Sequence, residues 1–462
     1  MLRWKPLDAA ARRLAGLLLS PTPARPMPSY GEALAIVERC RWTLPPAYRE
    51  TLCLPLAQYL YRIGAAQYQR LLSHPTASSH LILLEALRLR SGGHGREDMA
   101  TASAQELISD IYDGFLSAED RRGFSVPDLV VVPPLIAWER IPRGPAFFER
   151  DRLSGVDVGV VAMPITFALD GRWAWPLIAH EVGGHEVLLA NRALLPELAL
   201  RVRHGLDRSG LRELADYWAG RVHEAAADIL GVLNIGPVLG LSLVAYLCAL
   251  HGIGGGPLVP RVVDEGSAPA HYPVDILRAW AVSEAIGALR FTGARAWRAR
   301  LQDALWPHMR QGVWLEGRWH APRRAVDSAA CLAAEVAQTP LVSLGNRAFE
   351  EIQNWYDSDE ARSEQLAGWL RSADPRLPPI DPGCYAAHGM AASILAELHA
   401  DLYAQSHADL YVESHAQLHS GHMRSIAVRT LTLLTAMHRA NPVWRGASVV
   451  LPGDLGVTPA QK

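Results

Sequence analysis

Residues 175–189 read Trp-Pro-Leu-Ile-Ala-His-Glu-Val-Gly-Gly-His-Glu-Val-Leu-Leu, which sets His180, Glu181 and His185 among apolar neighbours. Burying two imidazoles and a carboxylate there is costly unless they pair with one another or bind something. A divalent cation supplies that compensation; mutual hydrogen bonding of the His and Glu side chains is the metal-free alternative. In the pattern His-Glu-x-x-His, two histidines four residues apart lie about 40° apart on one helix face and share a zinc ion. Here the spacing is five, which leaves about 140° between them in a regular helix. A one-residue bulge of π type would realign them, and Gly183 and Gly184 sit where a loosened backbone is least costly. Alternatively, the helix ends at Gly183 and His185 returns from the following turn.

A third ligand belongs on a later element. Residues 211–234 read as one long helix carrying His223-Glu224-Ala-Ala-Ala-Asp228. Glu224 and Asp228, four apart, face the same way. That suits a division of labour in which Glu224 ligates the metal and Asp228 accepts a hydrogen bond from the far nitrogen of a ligand histidine. The three alanines permit close helix approach. His223 is a competing ligand, but it points about 100° away from Glu224.

The elements that must position these groups follow from patterning. The chain has 462 residues, with Lys+Arg 45 against Asp+Glu 47 and 49% hydrophobic residues. So even a charge balance argues against a nucleic-acid binder or a polybasic membrane-surface protein. Five scattered cysteines without a C-x-x-C pair argue against a thiolate zinc site and against a disulfide scaffold. The apolar stretch near the N-terminus is short and interrupted by Arg12 and Arg13, unlike a signal peptide. A reducing, cytoplasmic setting is the expectation. Residues 229–250 carry no charge, yet Gly236-Pro237 in their middle favours two buried helices over a membrane span.

Helical periodicity covers residues 30–40 and 81–89, with 92–95 as a Gly-rich loop between such patterns. β-branched runs at 128–133 and 156–167, the latter followed by the turn signal Asp170-Gly171, predict a small sheet. From Trp175 the pattern is helical again. The fold class is α+β, predominantly α. Three regions result: helical residues 1–120, a core at 121–290, and helical residues 291–462. Residues 374–383 are a rigid loop or linker. After them His399, His407 and His415 recur every eight residues, a spacing that drifts around a helix and reads as duplicated sequence on one long, partly exposed helix.

His-Glu-x-x-x-His followed by Glu-x-x-x-Asp resembles the gluzincin branch of zincin metallopeptidases, and the six-residue variant is similar to the tyrosine carboxypeptidase-like group. The resemblance covers roughly residues 125–290. It implies a zincin-like core with a small sheet beside an active-site helix, embedded in additional helices. It also implies His180, His185 and Glu224 as ligands of Zn2+ and Glu181 as general base. In zincins an extended substrate adds to a sheet edge strand beside that helix, and residues 156–167, with Pro164 tolerable only at an edge, are the candidate. His271, Tyr272 or Arg278, around Pro273 at a helix start, can donate to a developing oxyanion or hold a substrate carboxylate; the alternative is a helix cap and a surface Arg. Trp173 and Trp175 line the cleft or pack in the core.

The expected function is hydrolysis of a peptide bond in a peptide or protein substrate, with Glu181 taking a proton from a zinc-activated water. Two rivals stand beside it: a helical interaction protein with a structural or vestigial zinc, and a metal-dependent hydrolase of a non-peptide amide.

Overall fold

The computed structural model describes residues 4–445 apart from 23–25, 74–78, 92–95, 117–131, 140–144, 149–154, 265–271, 375, 379 and 407–411. It is predominantly helical, with two three-stranded sheets. The Gly-rich loop at 92–95 and the first part of the 128–133 run lie outside the described residues.

In the first sheet β1 (Leu135–Glu139) pairs in parallel with β3 (Val160–Pro164), and β2 (Ala146–Phe148) pairs antiparallel with β3 from the other side. The expectation that residues 156–167 form an edge strand is therefore corrected: β3 is central. It shows no apolar–polar alternation because both faces are buried. Val160 joins one hydrophobic cluster while Val161 and Met163 join the other. Pro164 is tolerated as the last residue of the strand, opposite Glu139. Nor does Asp170-Gly171 make a hairpin; it links two 3-10 turns, Ile165–Phe167 and Arg172–Leu177.

The two outer edges of this sheet differ. On β1, Gln105 donates to Pro134 O (2.9 Å) and accepts from Ile136 N (3.2 Å), and Arg90 donates to Ile136 O (3.1 Å). Side chains thus occupy the backbone groups that would template another strand. Among the described residues no strand pairs with the outer edge of β2.

Residues 229–250 fold as foreseen into two helices, Val222–Ile235 and Pro237–Ile253, joined at Gly236 with φ 73°. Among the described residues no helix is long and apolar enough to cross a membrane. The long helix expected over 211–234 is instead two, Arg212–Ala219 and Val222–Ile235. The break falls at Gly220-Arg221, where the buried Arg221 guanidinium packs 4.1 Å from the Tyr217 ring and pairs with Asp264 and Glu316. The tertiary contacts of Arg221 override helix propensity. Likewise the eight-residue repeat does not lie on one helix: His399 belongs to Ala386–Ser406, His407 is outside the described residues, and His415 belongs to Val412–Ala440. These two helices pack antiparallel, with Ser393 bonded to Thr430 and Gly389 against Leu434.

The larger hydrophobic cluster draws on Lys5–Leu19, Arg96–Leu116, the helices around residues 175–253 and the C-terminal helices. One buried acid ties its ends together. Glu397 is fully buried and accepts from Arg172 Nε (2.8 Å), Arg13 Nη1 (2.7 Å) and Trp173 Nε1 (3.0 Å). Trp173 and Trp175 are thereby core residues, the latter bonded to Phe167 O. Burial raises the Glu397 pKa, but Arg172 and Arg13 outweigh it and hold the carboxyl below the usual range. A depressed folded value contributes stability above the unfolded value of about 4.3, and that contribution fades as pH falls through the lower folded value. Glu397→Gln, which leaves Arg172 buried without its counter-charge, should cost about 3–5 kcal/mol at neutral pH. Thermal melts at pH 7 and at pH 3 to 4 should show the gap between parent and variant narrowing in acid; an unchanged gap refutes the assignment.

Candidate metal centre

The run from Arg172 onward stays helical but changes gauge. A 3-10 segment, Arg172–Leu177, carries Pro176 and leads into a π-helical turn, His180–Glu186, followed by α-helix Val187–Ala190. A π turn closes hydrogen bonds from i to i+5, so residues five apart return to one face. Of the two routes open to the sequence, the bulge is the one adopted.

The two glycines serve packing as well as backbone freedom. A Cβ on Gly184 would lie 2.5 Å from both Cα and Cβ of Ala227 on the Val222–Ile235 helix. One on Gly183 would meet Asn234 Nδ2 at 2.8 Å. Further along, Gly231 passes the backbone of Ala179 and His180, where a Cβ would sit 3.2 Å from His180 N. The π turn and the later helix therefore cross nearly backbone to backbone, which carries Glu224, in the first turn of its helix, to the two histidines.

The Nε2 atoms of His180 and His185 lie 3.1 Å apart; Glu224 Oε2 is 3.5 Å from the first and Glu224 Oε1 3.6 Å from the second. All three residues are buried, with one ligand atom from each within 4.8 Å of the others. A tetrahedral ion with bonds of about 2.0–2.1 Å separates its ligand atoms by roughly 3.3 Å, so the group has the dimensions of three corners of such a site.

Charge gives an independent test of fit. Glu181, Glu224 and Asp228 are buried carboxylates, and the buried guanidinium among them is that of Arg278. Asp275, also in the wall, is matched by its own partner Arg261. Among the first four groups two negative charges remain, the charge that a dication would balance. For His180 burial opposes the charged form, but Asp228, Glu224 and Glu181 more than offset it and raise the pKa to about 10. Burial, with Glu224 adding to it, pushes Glu181 up to about 7 against the pull of His180. His185 is held well below its ordinary value by burial and by the neighbouring His180, His223 and Arg278.

Asp228 stands behind His180, its Oδ1 2.7 Å from Nδ1. The contact is short but not an in-line hydrogen bond, so it acts chiefly through charge. Burial disfavours the Asp228 anion; Arg278 and His180 overcome that and lower its pKa. Arg278 is buried in the pocket wall, not at the surface, and its Nε and Nη2 bind Asp228 at 2.7 and 2.8 Å. It holds Asp228, and its Nη2 is 3.8 Å from Glu224. Tyr272 stands at the rim with its ring 6.0 Å from the Arg278 guanidinium. The helix there begins at Asp275, two residues after Pro273. His271 lies outside the described residues.

The ligand group opens into a cavity of about 440 Å³. Pro145 and Ala146 at the start of β2 border it, as do Leu243, Tyr246 and Leu247 of the Pro237–Ile253 helix. Sequence reasoning missed these wall residues: Leu243, Tyr246 and Leu247 stand in a uniformly apolar run, and Pro145 and Ala146 carry no group that signals a site. Compared with protein-family models, curated proteins and solved structures, the chain matches none.

Gly184→Ala should force the two backbones apart, at about 1–3 kcal/mol, and sharply weaken metal binding. Gly183→Ala, which meets mainly movable side-chain atoms, should do less. Zinc titration of both variants beside their melting curves is the check; parent-like zinc affinity in Gly184→Ala refutes the crossing as the source of the site.

Proposed function

We propose that the chain is a zinc-dependent hydrolase of peptide bonds in which Glu181 is the general base. The observation that carries this reading is the convergence of His180, His185 and Glu224 on one point at the wall of a cavity that Glu181 also lines. Two imidazoles and a carboxylate are a donor set suited to zinc, and three protein ligands facing a cavity are the mark of a catalytic site with an open position. A structural site would instead be closed by a fourth protein ligand, whereas three converge here among the described residues. Bound zinc supplies Lewis acidity, polarising a carbonyl and lowering the pKa of a coordinated water towards about 7.

The protein's own residues do the rest. Glu181, next in sequence to a ligand histidine and lining the same cavity, is placed to accept a proton from water and return it to the leaving amine. Asp228, braced by Arg278, fixes His180 from behind. The edge of β2, unpaired among the described residues and beside the cavity, suits an extended substrate backbone, whereas the β1 edge is filled by Gln105 and Arg90. The role first expected of residues 156–167 thus passes to β2.

Glu181→Gln should lower turnover on a peptide library by on the order of 10²–10⁴-fold while zinc content stays at about one per chain. A chelator should abolish parent activity and added zinc restore it. Full activity in Glu181→Gln, or parent cleavage confined to non-peptide amides, would overturn the reading.

A further inference from the structure

We propose that His223 is the positioning residue for His185: Nδ1 of His185 donates to Nε2 of His223, which leaves Nε2 of His185 as a lone pair turned towards His180 and Glu224. The inference rests on the metal-centre reading but not on the identity of the substrate.

The distances carry it. His185 Nδ1 is 2.8 Å from His223 Nε2, with ring centroids 4.4 Å apart and planes at 73°. On the other side of the same ring, His185 Nε2 is 3.1 Å from His180 Nε2 and 3.6 Å from Glu224 Oε1. The two nitrogens of an imidazole point away from each other, so His223 stands behind His185, on the side remote from the other ligands. This geometry rules out His223 as a rival ligand through Nε2.

A neutral imidazole carries one N–H, and where it sits decides whether the ring can ligate. With the proton on Nδ1, Nε2 is free for an ion. If His223 instead donated through Nε2, His185 would carry its proton on the inner nitrogen and could not bind. Ligand histidines usually give their outer N–H to a carboxylate, a backbone carbonyl or water. His180 has Asp228 on that side; His185 has a second imidazole. The helix geometry explains how one segment serves both. Glu224 and His223 are adjacent in the first turn of Val222–Ile235, about 100° apart around its axis. Glu224 reaches the inner side of the His185 ring while His223 reaches the outer side.

The test uses the purified full chain and its variants His223→Leu, His223→Gln and His223→Ala. Zinc affinity is measured by chelator competition, and cobalt(II) spectra report coordination at saturation. His223→Leu should weaken zinc binding about 10–100-fold, the range for losing such a partner, with a parent-like cobalt spectrum once saturated. His223→Gln, whose Oε1 can accept from Nδ1, should recover most of the loss. His223→Ala should be rescued by added imidazole, because His223 lines the cavity and its place is reachable. Parent-like zinc affinity in His223→Leu overturns the proposal. So does a cobalt spectrum showing one ligand fewer, which would make His223 a ligand itself. A parent chain that binds no zinc overturns the metal-centre reading, and this inference with it.

Discussion

The near contact of two backbones, the π turn His180–Glu186 and the helix Val222–Ile235, is the constraint on which the centre depends. Glu224 contributes a short side chain from a separate helix, so it reaches the imidazoles only if the helices cross with nothing between them. Ala227 and Gly231 on one partner and Gly184 on the other remove what would intervene. The extra residue between the histidines and the small residues opposite are two parts of one solution. The wide turn aligns His180 with His185, and the absence of side chains at the crossing lets the third ligand arrive.

Around that crossing the charges are arranged unequally. His180 is backed by a buried carboxylate that acts on it chiefly through charge and is itself held by two hydrogen bonds from Arg278. His185 is backed by His223, a group without formal charge when neutral. The first imidazole therefore faces the stronger negative charge, and the second has the hydrogen bond behind it.

Much of this was legible in the sequence, and the failures have physical causes. The His-Glu-Val-Gly-Gly-His spacing excluded a regular helix and left a bulge or a helix end at Gly183, because the alignment of side chains on a helix is fixed by geometry alone. Gly236-Pro237 marked the helix junction for the same kind of local reason. The break at Gly220-Arg221 was hidden, since it depends on Arg221 finding Asp264 and Glu316, acids some forty and more than ninety residues away. The central place of β3 was hidden as well. A strand buried on both faces loses the alternation that reveals orientation, and β2, at three residues, is too short to show any period. His223 was visible as a residue but not as a partner, because its bond is to a ring whose position the bulge decides.

The size of the helical surroundings also has a physical rationale. Three buried carboxylates near one guanidinium are costly, and a small domain buries too little apolar surface to offset such a cluster. Here the same hydrophobic cluster extends from Lys5–Leu19 to the C-terminal helices, and Glu397 ties Arg13 and Arg172 to the segment that leads into the π turn. The first helix and the last third of the chain thereby fix the segment that presents His180. A centre that gathers its three candidate ligands beside the mutually repelling carboxylates Glu181, Glu224 and Asp228 needs such support to keep its geometry. The flanking helices are then part of the centre's construction, which separates this chain from a minimal catalytic unit with unrelated helices appended.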